Sequence, residues 1–151
     1  MTIQKRAQRA PKSRQTGFTL VEVLIVSVII AILTMIAYSS YQDSLVRTRR
    51  SAAQGCLLEN SQFMERFYTT NLRYDQDRNG VAVPAPTCTA GNDVNNFYAV
   101  TFAAAPTATT FSLRAVPAPA QAARDTKCMT MTINQTGTKT ESGTGSVDDC
   151  W

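Results

Sequence analysis

Three textures follow one another along the chain. From Val23 to Gln42 no charge occurs for 20 residues, a run long enough to cross hydrocarbon as a helix. Beyond Arg47 the apolar positions narrow to a stripe of Ala53, Cys56, Leu57, Phe63, Met64, Phe67 and Tyr68 at three- and four-residue spacing. Glu59, Gln62, Glu65 and Arg66 lie on the other side, which is the pattern of an amphipathic helix. Asn60 is an exception on the apolar stripe. No proline interrupts residues 18–74, so one helix is predicted from Phe18 to about Tyr68.

After Tyr74 the chain becomes turn-rich, and residues 73–95 read as a loop. Strands are predicted at Asn96 to Ala104, Thr109 to Val116 and Met129 to Asn134, where Phe, Tyr, Val, Thr and Ile are common, with a short fourth at Thr138 to Glu141. Phe97, Ala99 and Thr101 alternate with Tyr98, Val100 and Phe102. Short connections with Pro or Gly favour antiparallel neighbours. Pro117 to Lys127 reads as loop, and the tail from Ser142 to Trp151 as disordered unless Cys150 pins it. The fold class is α+β, a long helix packed on a small antiparallel sheet. The organisation is residues 1–17 as a basic leader, 18–42 as a helix of membrane length, 43–72 as amphipathic helix, and 73–151 as loop, sheet and tail.

Glu22 stands inside the apolar run that opens after Gly17. A lone carboxylate there costs a few kcal/mol without a partner and marks a functional site. A cut between Gly17 and Phe18 would place a new amine at i to i+4 spacing from it. An ordinary secretory signal fits less well, because the run is longer than its apolar core and a cut after Ala37 would find Met35 where a second small residue is wanted.

These residues, Gly-Phe-Thr-Leu-Val-Glu ahead of the apolar positions, resemble the N-terminus of type IV pilins. The resemblance implies a pilin fold, with prepilin peptidase cleaving after Gly17 and methylating the amine of Phe18. Glu22 would pair with that amine in its own or a neighbouring subunit. Many pilins carry glycine and proline where this chain has Ala31 and Ser39. Those substitutions favour helix by about 1 and about 3 kcal/mol and put local melting in a filament in doubt. Later patches extend the likeness to PilE-type minor pilins: Leu57-Leu58-Glu59 with Phe67-Tyr68-Thr69-Thr70-Asn71, Phe111 to Pro117, Thr130 to Gly137 and Cys150-Trp151. The implied partners are other pilin subunits in a heteropolymeric filament, prepilin peptidase, the inner-membrane assembly machinery and, before assembly, inner-membrane lipid.

Charge supports that arrangement. The chain has 15 Lys and Arg against 11 Asp and Glu, but Lys5, Arg6, Arg9, Lys12 and Arg14 precede the cut. Ten cations and 11 acids then remain, a side-chain charge of −1. The basic leader predicts a cytoplasmic N-terminus and a C-terminal part that crosses the membrane, and the resemblance implies that this part lies in the periplasm before assembly and in the surface fibre afterwards. Arg47, Arg49 and Arg50, with Asp43 nearby, are the weaker competing set.

Four cysteines on the exported side read as two disulfides. Their wide spacing and the absence of histidine argue against zinc. Cys56 with Cys88 and Cys128 with Cys150 is the favoured pairing, since it leaves the loops un-nested. The second pair also matches the C-terminal disulfide loop that the resemblance implies.

No histidine, Gly-x-Ser-x-Gly elbow or phosphate loop is present, so no enzyme and no cofactor is expected. Asp75, Asp77, Asn79 and Gly80 form part of a calcium-loop pattern, but Pro86 stands where the bidentate acid belongs, and a solvated turn is the simpler reading. DNA is a weakly supported partner through Arg114, Arg124, Lys127 and Lys139, which are scattered among acids. A minor pilin is the main expectation, with a DNA-binding pilin or a type II secretion pseudopilin as alternatives.

Overall fold

The structure is a computed structural model and describes residues 17–88 and 94–151. The leader cations and Gly91-Asn92-Asp93 lie outside the described residues. The described chain divides into two units, one ending at Tyr38 and the other spanning Ser39–Trp151.

Helix α1 (Leu20–Asn71) has 52 residues and is long and apolar enough to cross a membrane. Thr19 caps its start, its Oγ1 accepting the Glu22 N–H at 3.2 Å. Its end lies three residues beyond the expected Tyr68, because polar side chains occupy the last carbonyls. The Thr69 and Thr70 hydroxyls donate to the Arg66 carbonyl, and Asn71 Nδ2 donates to that of Phe67. Leu72 then takes a left-handed conformation, φ 59°, and stops the helix.

In the second unit a helical turn α2 (Val94–Phe97) precedes strand β1 (Tyr98–Phe102), followed by β2 (Ser112–Pro117), a turn α3 (Pro119–Ala122), β3 (Met131–Asn134), β4 (Lys139–Glu141) and a last turn α4 (Val147–Cys150). The strands form an antiparallel sheet in the order β1-β2-β3-β4. Tyr98, Val100, Leu113, Ala115, Met131 and Ile133 share one core with Ala53, Cys56, Leu57 and Met64 of α1. Each large apolar side chain wholly buried there contributes roughly 1.5–3 kcal/mol.

Several boundaries differ from the sequence reading for local reasons. Residues 96 and 97 are helical, with Phe97 packed under the Arg49 guanidinium at 3.6 Å. Strand β2 begins at Ser112 because Thr107 Oγ1 accepts the N–H groups of Thr109 and Thr110 and closes a turn there. Strand β3 starts at 131 because Met129 has φ 50°, outside extended geometry. The expected loop after Pro117 contains α3, with proline preset for a first helical turn.

The tail is held by more than Cys150. Ser142 N–H donates to the Thr130 carbonyl, Thr144 to that of Thr126 and Gly145 to that of Lys127, at 3.0, 3.2 and 2.8 Å. Gly143 passes so close to Lys127 that a Cβ there would overlap its carbonyl. Ser146 and Asp149 complete a capping box on α4.

Candidate functional site: the helix start and the disulfide-closed groove

Thr19-Leu20-Val21-Glu22 is a capping-box sequence, a signal the apolar pattern alone did not reveal. The cap places Glu22 in the first turn of α1, where a carboxylate meets the positive end of the helix dipole. Phe18, Glu22, Val26 and Ile30 line one face of the helix. Phe18 is 81% exposed, and Gly17 has open space around its Cα. Both residues flanking the expected cut are thus accessible, and Glu22 lies one turn from the amine that a cut would create.

In the second unit, disulfides join Cys56 to Cys88 and Cys128 to Cys150, with Cα–Cα distances of 5.3 and 5.4 Å. Asn60, the polar exception on the apolar stripe, is buried beside the first. Its Nδ2 donates to the carbonyls of Cys56 and Thr87, and its Oδ1 accepts the Thr87 N–H. One amide thereby secures the segment carrying Cys88.

A second buried network lies beside Cys128. Arg50 Nη1 donates to Asp125 Oδ1 at 3.0 Å and also contacts Cys128 Sγ. Asp125 Oδ2 accepts the Tyr98 hydroxyl at 2.6 Å. Gln121 Nε2 donates to Tyr98 Oη and to the Val46 carbonyl. Burial, then the bond to Asp125, pushes the Tyr98 phenol well above its ordinary range. The network ties α1, α3 and β1 to the disulfide-closed tail, and none of it was legible as a sequence motif.

A groove of about 590 Å³ opens next to this network, between α1 and the segments around Lys127 and Cys150. Arg47, Arg124 and Lys127 contribute positive charge to its lining, and Asp43 and Asp149 negative charge. The Ser146 hydroxyl and N–H hold the Asp149 carboxyl below its usual range. Of the four cations suggested for DNA, Arg124 and Lys127 are brought together here. Lys139 lies over the Trp151 ring at 4.9 Å. Arg114 is exposed on the outer sheet face, in a cross-strand row with Thr101, Thr132 and Thr140.

The acidic turn uses its carboxylates internally. Asp75 is held by Arg73 through bonds of 2.6 and 2.8 Å, while Asp77 Oδ1 accepts the N–H groups of Asn79 and Val81. Gly80, φ 80°, supplies the left-handed residue of that turn.

Comparison with known proteins bears on both units. The prokaryotic N-terminal methylation motif matches residues 12–38. The family described as type IV minor pilin ComP, DNA uptake sequence receptor, matches residues 39–132, more than half of the chain. None of the curated proteins compared matches it. Among solved structures, a type IV pilin from Shewanella oneidensis is 26% identical with a TM-score of 0.48, over 70% of this chain and 97% of that one. The Neisseria meningitidis non-core minor pilin PilV is 27% identical with a TM-score of 0.47, over 67% of this chain and 90% of that one. The motif and the apolar helix fit a membrane-anchored pilin that later enters a pilus with other pilins through the assembly machinery. The chain is a minor type IV pilin and belongs to the family of ComP, the DNA uptake sequence receptor.

Proposed function

We propose that the chain is a heteropolymeric pilus subunit, cleaved after Gly17, methylated at Phe18 by prepilin peptidase, and incorporated through Glu22. The observation that carries this reading is the start of α1. From Phe18 to Tyr41 its large apolar side chains are exposed, and Glu22 is the only charge among them. Such a surface needs lipid first and neighbouring subunit helices afterwards. Before assembly the N-terminus lies in the cytoplasm and the globular unit in the periplasm, the arrangement favoured by the basic leader.

A second reading has specific support: once in the fibre, the globular unit serves as a DNA receptor. The family description supports it, as does the exposed Arg114 in a cross-strand row with Thr101, Thr132 and Thr140, groups of the kinds that make phosphate contacts. Deletion of the gene separates the roles when surface pili, twitching and DNA uptake are scored together. Loss of uptake with normal pili is the receptor result. Loss of pili is the assembly result, and wild-type behaviour in all three assays removes both.

A further inference from the structure

The two sulfurs of the C-terminal disulfide sit in opposite electrostatic surroundings. Arg50 Nη1 of α1 contacts Cys128 Sγ, and the Arg50 side chain is only 14% exposed. Cys150 Sγ faces an acceptor instead, the Lys127 carbonyl at 3.7 Å. A cation stabilises a thiolate, whereas a carbonyl oxygen repels one and accepts an S–H. The other disulfide shows no such ionic contact, since the polar neighbour of Cys56 Sγ is the neutral Asn60 amide at 3.4 Å.

Three further charges surround the pair. Asp125 shares Arg50 with Cys128 through its 3.0 Å ion pair, and Asp149 of α4, held by Ser146, lies within electrostatic range of Arg50 and Lys127. Asp125 weakens the influence of Arg50 without reversing it, because among the described residues it is Arg50 that contacts the Cys128 sulfur, and charge interactions fall with distance. We infer that Arg50 makes Cys128 the leaving thiolate when this disulfide opens and the attacking thiolate when it closes, so that thiol exchange passes through Cys150. In opening, the thiolate of an incoming thiol attacks Cys150 Sγ and forms a mixed disulfide there. The bond between Cys128 and Cys150 breaks, its electron pair stays on Cys128 beside Arg50, and the incoming sulfur is the one oxidised. Closure is the reverse, with Cys128 attacking Cys150 and expelling the other thiolate. In either direction the better-stabilised thiolate is the faster leaving group. Cys128 and Cys150 are 0% and 1% exposed, so exchange begins with local lifting of the tail.

The test exposes the full-length chain briefly to reduced glutathione, blocks released thiols with N-ethylmaleimide, and locates glutathione by peptide mass spectrometry. Glutathione should be found on Cys150 over Cys128 by roughly tenfold. The double variant Arg50→Met with Asp125→Leu should lose that preference, while Arg50→Lys, which keeps a cation, should retain most of it. Asp125→Asn removes the competing carboxylate but keeps a hydrogen-bonding amide, and should strengthen the preference. That arm decides the matter even where the double variant does not fold. Equal labelling of the two cysteines in the wild type, or glutathione chiefly on Cys128, overturns the proposal. So does a preference unchanged in the folded double variant, which would assign the choice to access alone, and so does an unchanged or weaker preference in Asp125→Asn.

Discussion

Arg50 and Asp125 meet through a 3.0 Å ion pair, although 75 positions separate them in sequence. Their side chains are 14% and 3% exposed, so neither charge is well hydrated without the other. Arg50→Met should cost about 3 kcal/mol of unfolding free energy by leaving Asp125 uncompensated, whereas Arg50→Met with Asp125→Leu should cost less. Denaturant unfolding of the two variants checks this, and a double variant as unstable as the single one would contradict it.

Gly143 tests the docking of the tail. Any Cβ there overlaps the Lys127 carbonyl and comes within 2.6 Å of Cys128 N, so Gly143→Ala should destabilise by about 1–3 kcal/mol. Gly145→Ala should be milder, since its nearest contact is 3.0 Å. Limited proteolysis should cut the Gly143→Ala tail first, and equal resistance in the two variants would refute the steric argument.

Tyr74 contributes, together with Tyr98, to an alkaline limit of the fold. Burial, reinforced by its hydroxyl's bonds to Glu65, raises the phenol to about 12. A raised folded pKa means that its contribution is complete below the ordinary value near 10 and is lost as pH rises towards 12. Stability measured between these limits should fall less steeply in Tyr74→Phe than in the wild type. Identical slopes would show that Tyr74 does not contribute to the limit.

Glu22→Gln preserves size and removes charge. The variant should still be cleaved and held in the membrane, yet be depleted from sheared pili, because losing one partner of a low-dielectric ion pair costs several kcal/mol. Partial incorporation is compatible with a retained neutral hydrogen bond. Wild-type incorporation with Gln, Ala and Val alike at this position would exclude a role for the charge.

Processing has a direct mass signature. The mature chain should begin at methylated Phe18, as read by intact-mass analysis. An uncleaved chain, or one beginning near residue 38, would overturn the reading of Gly17 and Phe18.

The sequence by itself determined the elements whose cause is local. An uncharged run with a single acid, a three- and four-residue stripe and alternating strand residues were enough for α1, the sheet and the order between them, because each is an arrangement of neighbours along the chain. The inner-facing alternation of Tyr98 and Val100 was visible in the same way, and both are buried. Tertiary structure decided what depends on residues far apart. Asn60 looked like a defect in the stripe until Thr87 came within hydrogen-bonding distance. Gly143 was an unremarkable tail residue until the Lys127 backbone lay against it. The Arg50, Asp125, Tyr98 and Gln121 network and the groove beside it come from four separate stretches of chain. A buried polar group takes whichever partner folding brings within about 3 Å, and sequence periodicity holds no information about that distance.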